Sequence, residues 1–277
     1  MKILLTGCSG FIGGNIRRML EQEGHEVTCA DRHHGVDFTR MIRESDWLPW
    51  TGNMDAVINS VGIIVETGDN RFDILHHRAP AALFQAAARS GIPRVIQISA
   101  LGADQKAFTA YQQTKKAADD ALRELDIPGH ILRPSLVIGR GSSSLALFRR
   151  LAGLPLLALA DGGRQQVQPI HISDLLDTVR KALSVDTRHC HTLDLAGPRA
   201  MSFADWLNIL RRHQGKGPAH ILPLPYSLVL AMAHVGRYLL PLMHPDNLRM
   251  MQAGNTADTS ALVEFLGQPL RPAEDAL

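Results

Sequence analysis

Short apolar runs alternate with segments of helical periodicity through the first half of the chain. The runs KILLTG, HEVTCADR, DAVINSVG, RVIQISALG and GHILRPSLVIG predict strands, and the segments between them predict helices. The Ala-rich segment APAALFQAAARSG ends at Gly91 and Pro93, which is typical of a helix terminus. AVINSV is apolar at successive positions, as expected when helices cover both faces of a parallel sheet. The alternation therefore predicts an α/β fold with a doubly wound parallel sheet.

The alternation breaks down after residue 139. A flexible RGSSS segment follows, and beyond it the strands are short and prolines are frequent. We therefore predict a first domain over residues 1–139 and a smaller mixed α/β lobe over residues 140–277, packed on it as one unit. A small-molecule substrate is expected in the cleft between the two parts.

The most apolar later stretch, residues 221–243, is interrupted by Pro223, Pro225, His234 and Arg237. A membrane-spanning helix needs about 20 consecutive apolar residues, so we expect no integral membrane segment here. The pattern instead predicts an amphipathic helix over Tyr226–Leu240. The sequence leaves open whether this helix packs on the rest of the protein, on a partner or on a membrane surface.

A glycine cluster, TGCSGFIGG, lies between the first predicted strand and the first predicted helix. Gly7 allows a sharp turn, Gly10 allows the backbone to approach a pyrophosphate, and Gly13 allows the helix to pack closely on the strand. The helix N-terminus then offers free N–H groups to phosphate oxygens. This context predicts a Rossmann-type dinucleotide-binding domain. The further cofactor contacts expected in this turn are Ser9, Phe11 and Ile12.

The second predicted strand ends at Asp31, where a carboxylate can accept hydrogen bonds from the hydroxyls of an adenosine ribose. Arg32 follows at once and could hold a 2′-phosphate instead. Asp31 favours NAD and Arg32 keeps NADP open, so the predicted cofactor is NAD(P), with NAD preferred.

Tyr111 and Lys115 are four residues apart in a predicted helix and lie on one helical face. A lysine ammonium favours the ionised form of a neighbouring phenol, which can then act as an acid or a base on a substrate oxygen. The lysine can also donate to a ribose. Because the pair follows a dinucleotide motif, we predict that it serves hydride transfer.

The motifs together resemble those of the short-chain dehydrogenase/reductase superfamily, in its extended and atypical branch of NAD-dependent epimerases and dehydratases. TGCSGFIG resembles the cofactor motif, YQQTK the catalytic pair, and VQPIHISDLLDTV the stretch near the substrate lobe. The resemblance covers nearly the whole chain. ISALGA and FLGQPLRPAEDAL are most similar to the atypical group of the NDUFA-nine-like subunit of respiratory complex I, whose members need not be enzymes.

The resemblance implies roles for further residues. GVDF, NSVG and ILRPSLVIG resemble segments beside the cofactor, which implies contacts from Asp37, Phe38, Ser60, Val61, Gly62 and Pro134. It also implies that Lys115 binds the cofactor and that Ser99, Tyr111 and Lys115 form the catalytic set. Active members usually carry Ser or Thr where this chain has Leu101, so the hydroxyl that orients a substrate carbonyl is expected to be missing.

Two functions follow from these observations. The first is an NAD(P)-dependent oxidoreductase or epimerase, with Tyr111 moving the substrate proton while the nicotinamide exchanges hydride. The alternative is a structural or regulatory protein that binds NAD(P) with little turnover. A protein partner or a homodimer is compatible with either.

Composition and local spacing bear on the partners, metals and cellular compartment of the protein, but not on the reaction. A formal net charge of +2 gives no indication of a nucleic-acid-binding surface. The cysteines Cys8, Cys29 and Cys190 are few and unevenly spaced, which predicts a reducing compartment and no disulfide framework. The HCH triplet at residues 189–191 has no second ligand pair at a zinc-like spacing, so no metal is expected. Met1 runs directly into strand-like sequence, and we therefore expect a cytoplasmic protein.

Overall fold

A six-stranded sheet forms the centre of the first of two structural units in the computed structural model, which describes residues 1–236 and 244–277. Its strands are β1 (Lys2–Thr6), β2 (Glu26–Ala30), β3 (Ala56–Asn59), β4 (Val95–Ile98), β5 (Gly129–Pro134) and β10 (Cys190–Leu195). Their spatial order is β10-β5-β4-β3-β1-β2, and neighbouring strands from β5 to β2 are parallel. Strand β2 pairs with one edge of β1, and strand β3 pairs with the other edge. This order confirms the predicted doubly wound sheet.

Helices pack around this sheet because both of its faces are apolar. Strands β3 and β4 are buried at every position. The surrounding helices are α1 (Phe11–Gln22), α2 (Glu44–Thr51), α3 (Ala79–Arg89), α4 (Ala110–Glu124) and α6 (Ile172–Ser184). Helix α1 buries Ile16, Met19 and Leu20, which share one face at helical spacing. A π-helical turn, Asp73–Arg78, leads directly into α3.

The second unit is built from three two-stranded sheets and shorter helices. Its strand pairs are β11-β8, β12-β7 and β6-β9, of which the first is antiparallel. Its strands are β6 (Val137–Ile138), β7 (Leu156–Ala160), β8 (Gln166–Val167), β9 (Ile170–His171), β11 (Met201–Ser202) and β12 (His220–Leu224). Its helices are α5 (Ser143–Ala152), α7 (Phe203–His213), α8 (Tyr226–Gly236), α9 (Pro245–Ala253) and, shared with the first unit, α10 (Ser260–Leu266). Trp206 and Leu210 of α7 are fully buried in its core.

The division of the chain differs from the predicted boundary at residue 139. The first unit comprises Met1–Pro134, Leu175–Asp194 and Glu264–Leu266, and the remaining described residues form the second unit. The first unit includes β10 and most of α6, which come from later in the chain. Local sequence pattern could not reveal this, because strand neighbours are set by tertiary pairing.

Cys8 and Cys29 form a disulfide, with their Cα atoms 5.9 Å apart. The cysteine spacing predicts no disulfide framework, and it did not predict this single bond; Cys190 is free. Cys29 lies opposite Leu5 in the parallel β1-β2 pair, and Cys8 lies just beyond the end of β1. Adjacent strands thus bring together two cysteines that are 21 positions apart.

Helix α8 covers Tyr226–Gly236, so the predicted helix forms in its first eleven residues. The rest of the predicted span, up to Leu240, lies outside the described residues. Within the described residues, every helix is too short or too polar to cross a bilayer.

Candidate dinucleotide and catalytic site

The glycine turn between β1 and α1 requires glycine for steric reasons. Gly7 has a φ of +76°, in the left-handed region that favours glycine. The Gly10 N–H donates to the Gly7 carbonyl oxygen at 2.9 Å, which closes the turn. A Cβ atom on Gly13 would lie 2.1 Å from that same oxygen. The turn can therefore hold this shape only with glycine at positions 7 and 13.

The N-terminus of α1 is open to an anion. Gly10 is the N-cap residue, and it provides no side-chain acceptor for the first N–H groups of the helix. These groups belong to the turn that also contains Ser9, Phe11 and Ile12. Orphan N–H groups and the positive end of the helix dipole favour phosphate oxygens. The turn therefore fits a dinucleotide pyrophosphate.

Asp31 follows the last residue of β2 and is held in place by the next turn. Its Oδ1 accepts hydrogen bonds from the backbone N–H groups of His33 (3.0 Å) and His34 (3.2 Å). The same oxygen lies 2.7 Å from Nδ1 of His34. Burial acts to raise the pKa of this carboxyl, but the His34 and His33 hydrogen bonds outweigh it and lower the pKa. Asp31 is thus an ionised acceptor fixed at the end of the strand.

Arg32 is engaged by the protein itself. Its guanidinium donates to Oδ1 of Asn70 at 2.5 Å. Hydrogen bonds from Thr39 lower the pKa of Asp37, and the charge of Arg32 contributes to the same shift. Arg32 therefore lies close to both Asn70 and Asp37.

The GVDF segment divides between surface and core. Asp37 accepts hydrogen bonds from the N–H (3.1 Å) and hydroxyl (2.8 Å) groups of Thr39. Phe38 is 7% exposed and meets Trp47 edge-on at 5.1 Å between ring centroids. Its side chain belongs to the core, so a cofactor contact at this position can come only from the backbone.

The residues after β3 approach both the glycine turn and Lys115. The Ser60 hydroxyl donates to the backbone oxygen of Thr6 at 2.5 Å. The Val61 backbone oxygen accepts from Nζ of Lys115 at 3.0 Å. A Cβ atom on Gly62 would lie 3.3 Å from that Nζ. The ends of β1 and β3 therefore meet beside α4, at the position where the sheet order reverses and ligands bind in open α/β sheets.

Lys115 of α4 is buried, with an exposed fraction of 3%. Its Nζ donates to the backbone oxygens of Val61 and of Ile98 at the end of β4, the latter at 3.1 Å. Burial lowers the pKa of Lys115 to about 8, against the opposing effect of the Asp119 charge. The ammonium thus joins the ends of two strands to one helix.

Tyr111 lies one helical turn before Lys115 and contacts two rings. Its ring centroid is 5.9 Å from that of Phe72 and 5.3 Å from that of His76. Burial raises the pKa of the Tyr111 phenol to about 12. Burial thus opposes ionisation of this phenol, and the expectation that the Lys115 ammonium eases its ionisation stays a prediction.

Ser99 and Asp119 form a buried polar pair that the sequence analysis missed. The Ser99 hydroxyl donates to Oδ2 of Asp119 at 2.8 Å, and Nε of Arg133 lies 3.1 Å from the same oxygen. Burial raises the pKa of Asp119 to about 6, although Ser99, Arg133 and Lys115 act in the opposite direction. Its spacing of four residues from Lys115 was the available signal. The catalytic role of Ser99 stays a prediction, and its hydroxyl is committed to Asp119.

Leu101 brings no hydroxyl to the end of β4. Its backbone N–H donates to the Pro134 oxygen at 3.0 Å, which links this turn to the end of β5. Pro134 thus supports the site through its carbonyl group.

His76 is a second residue that the sequence analysis did not select. It is fully buried in the π-helical turn, and its Nε2 accepts from the N–H of Ile63 at 3.0 Å. Its Nδ1 therefore carries the proton and faces Oγ1 of Thr114 at 3.3 Å. Burial and, secondarily, the Lys115 charge hold the pKa of His76 well below its usual value. A neutral imidazole thus lies beside Tyr111. No spacing in the sequence predicts that His76 lies beside Tyr111.

The sequence matches one protein-family model, that of the NAD dependent epimerase/dehydratase family, over residues 3–192. The chain belongs to the NAD dependent epimerase/dehydratase family. The matched region ends within β10, the last strand of the large sheet.

Curated relatives of this family member differ in their named roles. Subunit 9 of the NADH dehydrogenase 1 alpha subcomplex from Arabidopsis thaliana is 29% identical, over 93% of this chain and 69% of its own length. A ceramide reductase from Caulobacter vibrioides is 26% identical, over 62% and 57%. The human epimerase family protein SDR39U1 is 25% identical, over 84% and 86%. The matched part is 61% of the Neurospora crassa 40 kDa subunit and 55% of the mouse subunit 9.

Solved structures with low sequence identity share the fold. MoeE5 in complex with UDP-glucose and NAD has a TM-score of 0.75 and 18% identity, covering 100% of this chain and 96% of its own. The UDP-N-acetylglucosamine 4-epimerase from Bacillus cereus has a TM-score of 0.74 and 16% identity, with the same coverage. These likenesses confirm the Rossmann-type architecture.

Proposed function

We propose that this family member binds NAD at the ends of β1, β2 and β3. The observation that carries the proposal is the uncapped N-terminus of α1 above the Gly7–Gly13 turn. The turn offers N–H donors to a pyrophosphate, and Asp31 offers a carboxylate to ribose hydroxyls. Ser60, Val61 and Gly62 line the adjacent strand end.

NAD is favoured over NADP because of the charges at the end of β2. The ionised Asp31 repels a 2′-phosphate placed at its position. Arg32 could oppose this repulsion, but Asn70 and Asp37 already attract its guanidinium. The balance of charge therefore favours two ribose hydroxyls over a phosphate.

We further propose that the chemistry is reduction of a carbonyl group. A bound nicotinamide supplies the hydride in such a reaction. Tyr111, with its pKa raised to about 12, keeps its proton at neutral pH and can donate it to the substrate oxygen. Oxidation or epimerisation needs a base at the first step, and a protonated phenol is a poor base. The reductive direction is therefore favoured.

Lys115, on the next turn of α4, and His76, in the π-helical turn, support this step. Lys115 holds α4 against the carbonyl groups of Val61 and Ile98, which fixes the helix that carries the phenol. His76 stays neutral and packs against the Tyr111 ring, so it adds no positive charge there. The phenol is thus oriented by packing and by one cation.

Cofactor choice can be tested by titrating the purified protein with NADH and with NADPH. Because like charges in contact cost several kcal/mol, NADPH should bind at least about tenfold more weakly. The variant Asp31→Asn should narrow this difference, while Asp126→Asn, on an exposed turn, should leave it unchanged. Equal affinities for the two cofactors in the unaltered protein would contradict the preference for NAD.

The chemical role of Tyr111 can be tested by NADH consumption with a panel of aldehydes, ketones and keto nucleotide sugars. Tyr111→Phe keeps the ring contacts and removes the donor, so kcat/KM should fall by about 100-fold or more while the NADH affinity is kept. Tyr226→Phe, in the second unit, serves as the control. A full rate in Tyr111→Phe would remove the phenol from the mechanism.

A second candidate function is dinucleotide binding with little turnover. It is favoured by the Ser99 hydroxyl, which Asp119 engages, and by Leu101 in place of a hydroxyl residue. Relatives named as subunits of NADH dehydrogenase point in the same direction. NADH binding without consumption of any panel substrate would support this candidate against the reductase. Such a protein would act through a protein partner or as a homodimer.

The cellular compartment is also a proposal. We keep the cytoplasm as the prediction, although the names of several relatives place them in mitochondria and Cys8–Cys29 is oxidised here. Subcellular fractionation of the source cell, with an antibody against the chain, tests it directly.

A further inference from the structure

One face of the β7-β12 pair is apolar and exposed. In the parallel register His220 lies opposite Leu156 and Leu222 lies opposite Ala158, so these four residues share one face. The other face of β7 carries Leu157 and Leu159, which are buried in the core of the second unit. The exposed face therefore shows leucine on both strands without being part of the core.

Exposed apolar residues also lie on elements next to this face. Leu154 lies in the turn before β7, and Leu228 and Met232 are one helical turn apart on α8, which packs against β7. Leu154, Leu156, Leu222, Leu228 and Met232 are each between 46% and 53% exposed. We call these five residues the leucine-rich face. Isolated exposed leucines are ordinary, but a cluster of this kind usually marks an interaction site.

Basic residues border the leucine-rich face on one side. The C-terminal ends of α5 and α7 carry Arg149, Arg150 and Arg212, and Lys216 follows α7; all four are exposed. The Lys216 ammonium donates to the Gly153 oxygen at 2.8 Å, in the turn that leads to Leu154. None of the four basic side chains takes part in an ion pair between described residues.

Carboxylates are missing from the sequence that builds this side of the second unit. No Asp or Glu occurs between residues 127 and 160, nor between 206 and 245. The nearest acidic residue after β7 is Asp161, at the end of the strand opposite to Leu156, where its Oδ2 accepts from Gln252 at 3.2 Å. The basic border is thus not offset by carboxylates from these two segments of the chain.

We propose that the leucine-rich face with its basic border binds the surface of an anionic phospholipid bilayer. Leucine and methionine side chains can enter the boundary between headgroups and acyl chains, and Arg and Lys attract anionic headgroups. Neither requires a spanning helix. A second copy of the chain would cover the leucines but would bring a second set of cations and no anionic partner for either border, so the charges favour an anionic surface. A nucleic acid would leave the leucines without a partner.

The test is co-sedimentation of the full-length protein with vesicles of phosphatidylcholine alone and of phosphatidylcholine with phosphatidylserine. Binding is expected to the anionic vesicles, to weaken with added salt and to be slight on neutral ones. The double variant Arg149→Glu with Arg150→Glu should lower the partition coefficient at least about tenfold, since it replaces two cations of the border with two carboxylates. Leu156→Glu with Leu222→Glu should lower it by at least about the same factor.

Matched controls separate the face from general charge and general apolar exposure. Arg17→Glu with Arg18→Glu alters an adjacent arginine pair on α1, and Val263→Glu alters an exposed apolar residue on α10. Both should bind anionic vesicles like the unaltered protein, and circular dichroism melts should show that every variant folds.

Three outcomes would overturn the proposal. The first is no binding of the unaltered protein to anionic vesicles. The second is equal binding by the face variants and the controls. The third is a change of oligomeric state in the face variants, by size-exclusion chromatography with light scattering, without any vesicle binding; this would assign the face to a second copy of the chain.

Discussion

At the scale of single residues, burial shifts the pKa values of the ionisable side chains in the site. Lys115, Asp119 and Tyr111 are each shifted towards their neutral forms by desolvation. For Tyr111 the neutral form is the proton donor, which suits reduction. For Lys115 the neutral form is the inactive one, because only the ammonium can attract an oxygen that gains negative charge.

This opposition predicts a pH limit for the proposed reductase. The pKa of Lys115 is about 8, so the ammonium is present below that pH and is lost above it. We expect kcat/KM to be level near neutrality and to fall about tenfold per pH unit well above pH 8. Lys115→Arg should keep its charge and abolish the fall, while Lys115→Met should be slow at every pH. A level profile up to pH 10 in the unaltered protein would contradict this role of Lys115.

The sequence predicts residue identities better than residue partners. Tyr111 and Lys115 can be paired from spacing alone, because both lie on one helix and helical geometry is local. The bond from Ser99 to Asp119 joins the end of β4 to α4, and Lys115 reaches the ends of β3 and β4. These contacts depend on how α4 packs against the sheet, which no local pattern specifies.

At the scale of elements, the β1–turn–α1 unit is the part that the sequence predicts most completely. Its strand, its turn and the start of its helix are where the glycine spacing requires them. Helix α2, by contrast, is not among the helices that the pattern predicts. It has only eight residues and contains Pro49, and its position is set by Trp47, which is fully buried.

The close packing of α1 on the turn predicts different effects at two adjacent glycines. A Cβ at position 13 would lie 2.1 Å from the Gly7 oxygen, whereas at position 14 the nearest atom, the Cys8 oxygen, is 3.2 Å away. Gly13→Ala should therefore lower the free energy of unfolding by about 2–3 kcal/mol and remove NADH binding. Gly14→Ala should change it by less than about 1 kcal/mol. Urea denaturation and NADH titration measure both; equal effects at the two positions would refute the steric argument.

At the scale of the whole molecule, the large sheet is completed by a strand that comes later in the sequence than the first segment of the second unit. Strand β10 pairs beside β5, and the residues of α6 from Leu175 onward belong to the first unit. Without β10, the β5 edge is unpaired and open to aggregation.

This arrangement predicts that the fragment 1–139 does not fold on its own. We expect it to show no cooperative thermal transition by circular dichroism. A chain in which residues 1–134 are joined to 175–194 by a flexible Gly-Ser linker should regain one, because it restores β10 and most of α6. A cooperative transition in the 1–139 fragment itself would contradict the requirement for β10.

The sequence by itself determined the alternation of strands and helices, the glycine turn and the Tyr111–Lys115 pair. Each is encoded within a few residues, by apolar periodicity, by steric need for glycine or by helical spacing. Only the tertiary structure decided the Cys8–Cys29 bond, the place of β10, the buried Ser99–Asp119 pair and the direction of the Tyr111 pKa. These depend on which distant segments become neighbours and on how much water they exclude. The dinucleotide-binding turn TGCSGFIGG could thus be predicted from the sequence, but the electrostatics around Tyr111 could not.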